Sequence, residues 1–426
     1  MADVRPIDAL HYDLAVVGSL QDVAAPPYDV IDVDQRAELL TRSPYNAVAI
    51  DLPKPYGASG PQETGGDPYA EAAEKVAAWR EAGALVDDSE PAIWAMTQDY
   101  TAPDGSQHTR HGILVKVLVE DYGAGKVRPH ERTLPGPKKD RLDLTRATRL
   151  NLSPIFSLST EDAWPLVEPA IQGEPWGEVT DDGGTLTRVW RVGDPAVHAA
   201  VTERLADAEL LIADGHHRYE TARAYRDEIG GEGAHNYTLM ALTGLDDPGL
   251  TVFPTHRLLS GFAEDPERQQ RLGNGLRELF DVTEVDVDGL DPAGEEGVGI
   301  FGVFDSHHKR GLRLRLKDTA ELDRLLEGKP EPYRRLDSAI LETLVLKGIA
   351  GMSDDDIAAK RGIGYAKNVP DSLALLDDGT YDVAFFLRPI PVDQVRAVAE
   401  GGENMPPKST YFFPKVMTGL VFNPVG

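Results

Sequence analysis

The sequence predicts a mixed α+β or α/β protein, and three observations carry that expectation. Short β-like runs alternate with amphipathic helical runs along the chain, the pattern of sheets packed against helices. The 426 residues are 41% hydrophobic, enough to fill sizeable cores in two or three domains. Residues 208–225, AELLIADGHHRYETARAY, read as strand, tight Asp-Gly turn and helix, the unit from which such sheets are built.

In chain order, residues 69–85 (YAEAAEKVAAWREAGAL) form an amphipathic helix stopped by Gly83, after an acidic helical run that starts near Asp34. ILVKVLVE (113–120) is strand-like. Residues 129–141 contain Pro129, Pro135, Gly136 and Pro137 and read as an ordered loop, not a helix. Ala208–Ala213 is a strand, and from His217 the apolar positions Tyr219, Ala222, Tyr225 and Ile229 recur at helical spacing up to Gly230-Gly231. GVGIFGVF (297–304), GLRLRLK (311–317) and YDVAFFL (381–387) are strands, with His307–Arg310 as a hairpin turn between the first two. RLDSAILETLVLKGIAG (335–351) is a helix ended by glycine. Polar, Pro/Gly-rich stretches at 53–68, 172–185 and 284–297 suggest regions 1–165, 166–262 and 263–426, or one intertwined unit.

Composition excludes several chemistries. There is no cysteine, so disulfides, zinc–thiolate sites, iron–sulfur clusters and a cysteine nucleophile are ruled out. The formal charge of −28, from 71 acids and 43 bases, repels nucleic acid and anionic membranes. An anionic substrate therefore needs a local basic pocket. The N-terminus lacks a signal-peptide pattern and no stretch is long enough to span a membrane, so a soluble cytoplasmic protein is expected.

The turn after Ala213 is that pocket's best candidate. Gly215 permits close backbone approach, the helix start offers unpaired N–H groups, and His216, His217 and Arg218 add cationic side chains, together an anion nest suited to phosphate. Adjacent histidines cannot share one helix face, which disfavours a two-histidine metal site here. Asp214 is either a helix cap or a metal ligand, and Glu220 faces the substrate side. His130 and Glu131 suit acid–base work or Mg²⁺ binding, and Lys138, Lys139 and Arg141 suit phosphate. Prolines 26 and 27 hold Tyr28 and Asp29 in one orientation near the substrate. Lys408, Ser409 and Thr410 are further phosphate candidates, although the glycines of a P-loop are absent. His256 and Arg257 are weaker substrate candidates.

IADGHHRYETA resembles the hallmark of the bacterial and archaeal domain-of-unknown-function 1015 family. RPIDAL, APPYDVID, YNAVAIDLPKP, RPHERTLPGPKKDRLDLTRATRLNLSPIFSL, FPTHRLL, RLDSAILETLVL and ENMPPKSTYFFPKVMTGLVF extend that resemblance over nearly the whole chain. The run Gly215-His216-His217-Arg218 is also similar to the glycine–x–histidine–arginine turn of the ParB/sulfiredoxin superfold, which implies a nucleotide-binding core. Sulfiredoxin chemistry does not transfer, because its cysteine is replaced by His216. Kinases of free L-serine in that superfold carry an Asp-Gly-x-His-Arg version, which Asp214–Arg218 matches. The resemblance implies ATP and Mg²⁺ as partners, Asp29 as the acid serving the substrate hydroxyl, and further catalytic parts for His130, Glu131, Asp214, His216 and His217. Asp214 and Glu131 are the implied metal ligands. A ParB-type nucleotide switch and a phosphoester hydrolase are the alternative readings.

Overall fold

A computed structural model describes residues 2–54, 66–102, 105–123, 125–130 and 135–426, without the side chains of 135–137. The fold is mixed α/β, as the alternation of runs predicts. The chain divides into two compact units. The first comprises residues 1–129, 133–250 and 414–426; the second comprises 130–132 and 251–413. The first unit spans the composition break at 172–185, because strands from both sides of it pair in one sheet.

That sheet has nine strands. Its main path runs Val127–Arg128, Leu210–Asp214, Ile155–Ser159, Tyr237–Gly244, Gln107–Leu118, Ile93–Thr101, Leu186–Val192, Gly177–Thr180, and Val4–Arg5 adds to Gln107–Leu118. Alternation decides what each face does. Ile93, Ala95, Ile113, Val115, Ile155, Ile212, Met240 and Leu242 form one core with Val201 and Leu205 of the helix Pro195–Leu205. Tyr219 and Ala222 of the helix His216–Ile229 close that core. The helix thus docks through Tyr219, Ala222 and Tyr225 of the stripe seen in its sequence, whereas Ile229 in its last turn is exposed, and its start is fixed at the end of the strand Leu210–Asp214. A smaller cluster of Ala25, Tyr28, Ile31, Leu39, Ala47, Val48 and Leu52 anchors the Pro-Pro-Tyr-Asp segment, where Tyr28–Val30 makes a single 3-10 turn.

One expectation is corrected. The supposed loop after residue 134 is a helix, Pro135–Thr148. Proline lacks an N–H that the first helical turn does not use, so prolines at 135 and 137 start a helix instead of preventing one. Arg141, Leu144, Thr145 and Thr148 are its buried stripe.

The second unit holds a six-stranded antiparallel sheet. Its order is Phe280–Val285, Arg310–Leu316, Ile300–Asp305, Val383–Phe386, His256–Leu259, Ile363–Ala366. The hairpin at 305–310 forms as expected. The predicted helix at 335–351 begins as Asp337–Ile340 and continues as a wider, π-wound stretch, Leu341–Ile349. Tyr411–Phe413 pairs with Thr251–Phe253. No described helix is long and apolar enough to cross a membrane.

Candidate anion site in the first unit

The strand Leu210–Asp214 ends one residue before Gly215, which adopts φ 99° and ψ 27° and turns the chain into the helix. An L side chain is strained at that φ, and a Cβ there would lie 2.9–3.1 Å from the Arg218 guanidinium. Glycine is therefore what lets Arg218 fold back over its own turn. Gly215 at the helix cap makes no side-chain capping bond, and the positive end of the helix dipole lies at this turn.

Asp214 does not cap this helix. One of its carboxylate oxygens accepts from Arg218 Nη2 at 2.6 Å, and the other accepts from Lys415 Nζ. Burial alone would raise the Asp214 pKa, but Lys415, Arg218 and His216 outweigh it and hold the carboxyl well below the usual range. Arg218 also donates from Nη1 to the Pro154 carbonyl, and its buried Nε has no acceptor among the described residues. His216 is buried, and His217 and Glu220 are half-buried, Glu220 facing Arg223 at 3.4 Å.

The same sheet carries a polar row. Thr187, Gln98 and Arg110 are register partners on neighbouring strands, so their side chains share one face. All three are at most 1% exposed. The Gln98 amide nitrogen donates to Thr187 Oγ1 at 3.2 Å and to the Lys415 carbonyl at 3.0 Å. Arg110 Nη2 donates to the Gln98 side-chain carbonyl, and its guanidinium lies 4.2 Å from the centre of the Phe156 ring. Phe156 is the register partner of Asp214. Burial pulls the Arg110 pKa down to about 9, with Tyr100, Asp247 and Asp214 opposing, so Arg110 remains charged at neutral pH.

The helix Pro135–Thr148 adds a further charged group. Arg141 donates to the Asp51 carbonyl at 2.6 Å and its carboxylate at 3.1 Å, and to Asp140 at 2.7 and 3.0 Å. Its guanidinium lies 4.1 Å from the Tyr28 ring centre. Thr418 Oγ1 donates to the other Asp51 oxygen at 3.3 Å. Burial pushes the Asp51 pKa up, against the pull of Arg141 and Arg218, and Asp29 adds to the rise. The exposed Asp29, Asp51 and the 214–218 turn are thus coupled electrostatically.

The structure therefore brings Tyr28, Asp29, Arg141, Asp214, Gly215, His216 and Arg218 into one region. Lys138 is half-buried and its carbonyl accepts from Thr221 at 3.4 Å, whereas Lys139 is exposed and pairs with Asp143 at 2.6 Å. Glu131 lies outside the described residues. The other candidates fall in the second unit. There His130 Nε2 is 3.0 Å from Thr410 Oγ1, Ser409 bonds Ser338 and the Pro406 carbonyl, and Lys408 is exposed. His256 is buried, and Arg257 donates to the Thr255 and Pro407 carbonyls.

Sequence reasoning missed Gln98, Arg110 and Thr187, which carry no motif and become a row only through strand register. Asp51 and Lys415 stand inside segments already quoted, AIDLPKP and FFPKVMTG, but nothing local marked them as partners of distant residues. Asp214, expected as a metal ligand, spends both oxygens on cations and does not fit a magnesium ion. Among the described residues, no group of three His, Asp or Glu side chains is placed to hold a metal.

The first unit is thus a mixed α/β body with a cation-rich turn at the end of one strand. The chain belongs to the family described as protein of unknown function (DUF1015), whose model matches residues 4–339. No curated protein matches it. Among solved structures it is similar to a conserved hypothetical protein from Pyrococcus furiosus, at 16% identity and a TM-score of 0.36, over 69% of this chain and 92% of that one. A mutant free serine kinase in complex with ADP matches at 14% identity and a TM-score of 0.37, over 69% and 89%. SbnI with a C-terminal truncation from Staphylococcus aureus matches at 14% and 0.38, over 73% and 87%.

Proposed function

We propose that the first unit is a nucleotide-dependent phosphotransferase acting on a small hydroxylated metabolite, with ATP as donor and free L-serine as the most specific acceptor. One observation carries this reading: Arg218 and Lys415 gather at the start of a helix around one carboxylate, in a protein whose formal charge is −28. Those cations exceed what Asp214 neutralises, and phosphoryl transfer requires mainly positioning and charge neutralisation. The serine assignment rests on the match of Asp214–Arg218 to the turn of free-serine kinases, and with it comes the proposal of a ParB/sulfiredoxin-like core.

In this mechanism the first-turn amides, His216, His217 and Arg218 bind the polyphosphate. The acceptor oxygen bonds to the γ-phosphorus, the bond from that phosphorus to the bridging oxygen breaks, and ADP leaves with the electron pair. Asp29 takes the hydroxyl proton, and Asp51 stands behind it. Lys415 and Asp214 keep Arg218 in place. No step is routed through a metal ion, and Mg²⁺ enters as the ordinary companion of ATP.

The test is incubation with Mg²⁺-ATP and a panel of hydroxylated metabolites including L-serine, measuring ADP and phosphometabolite. ADP release that depends on one metabolite is expected. Tight nucleotide binding without turnover would favour a ParB-type switch instead. Phosphate release from a phosphoester without nucleotide would favour a hydrolase.

A further inference from the structure

Arg110 is the least explained charge in the molecule. It is fully buried, stays charged at neutral pH, and its Nε and Nη1 have no acceptor among the described residues. A buried guanidinium is normally paired with a carboxylate, because leaving it short of acceptors is strongly unfavourable. Among the described residues its one hydrogen-bond partner is a neutral amide, Gln98, which is itself held by Thr187 and by the Lys415 backbone. That clamp fixes the guanidinium without neutralising it.

The sheet also sets Arg110 apart from the phosphate turn. Its strand lies three places from Leu210–Asp214 in the sheet order, roughly 14 Å across at strand spacing. The side chain reaches back to Phe156, the register partner of Asp214. The face therefore carries two cationic poles: the helix start with Arg218, and Arg110 on the far side of Phe156.

Resting on the reading of the turn as the phosphate pole, we infer that Arg110 recognises a carboxylate of the acceptor, which makes the acceptor class a small hydroxy acid. Arg110 Nε and Nη1 supply the donors, Gln98 and Thr187 hold them in position, and the Phe156 ring packs on the guanidinium between the poles.

The experiment titrates the full chain with ATP and, separately, with D-glycerate, L-serine, L-lactate and glycolate, each beside its neutral amide or alcohol twin. At least one carboxylate is expected to bind the wild type about tenfold or more tightly than its twin, the scale of one charge-assisted hydrogen bond. Arg110→Met is expected to abolish that preference and leave ATP affinity within about twofold. Arg110→Lys, which keeps the charge and the stem but loses the planar donors, guards against misfolding and is expected to lose most of the preference. The inference is overturned if no carboxylate binds, if twins bind alike, or if both variants bind as the wild type does. It is also overturned if Arg110→Met loses ATP affinity, since Arg110 would then serve donor phosphates. Failure of the wild type to bind ATP would reject the phosphate reading while the carboxylate titration still decides this one.

Discussion

Gly215 shows how much a single residue contributes to the site. At φ 99° any side chain is strained, and a methyl group would meet the Arg218 guanidinium within 3.1 Å. Gly215→Ala is expected to destabilise the protein by about 1–2 kcal/mol in urea unfolding and to weaken ATP binding, because both the turn and Arg218 must shift. Unchanged stability would contradict this account of the turn. The sequence made these residues legible because their spacing is local: a glycine, two histidines and an arginine within four positions. It left the role of Asp214 open between cap and metal ligand. Its two cationic partners decide the matter, and Lys415 stands 201 positions away. No local pattern encodes such a pairing.

At the scale of elements, amphipathic runs were read correctly in the helix His216–Ile229 and the strands Ile300–Asp305 and Arg310–Leu316. The helix Pro135–Thr148 was missed because its prolines stand in the first turn, where they cost little. The row Thr187–Gln98–Arg110 was illegible for a different reason: it exists only once three strands are in register. In the second unit, His256 on the strand His256–Leu259 is buried and accepts from the Leu387 amide at 3.3 Å. Burial lowers its pKa from 6.5 to about 4. Between those values the unfolded chain binds a proton that the folded chain does not, so stability falls as pH falls through this window. The contribution is roughly 3 kcal/mol once pH is below 4. Urea unfolding of the wild type and His256→Gln from pH 7 to pH 4 is expected to show a shallower loss in the variant. Parallel curves would contradict the assignment.

For the whole molecule, composition set useful bounds. The absence of cysteine removed thiol chemistry, and the charge of −28 confined any anion site to a local concentration of cations. The first unit supplies that concentration by bringing residues 214, 218 and 415 together, and these come from two separate stretches of chain. The central claim is that this cluster holds a nucleotide phosphate. The most direct test is calorimetric titration of ATP into the full chain and into Arg218→Ala, with circular dichroism to confirm that the variant keeps its fold. Loss of ATP binding in a folded variant is predicted. Unchanged ATP affinity would contradict the assignment of the turn as a phosphate site.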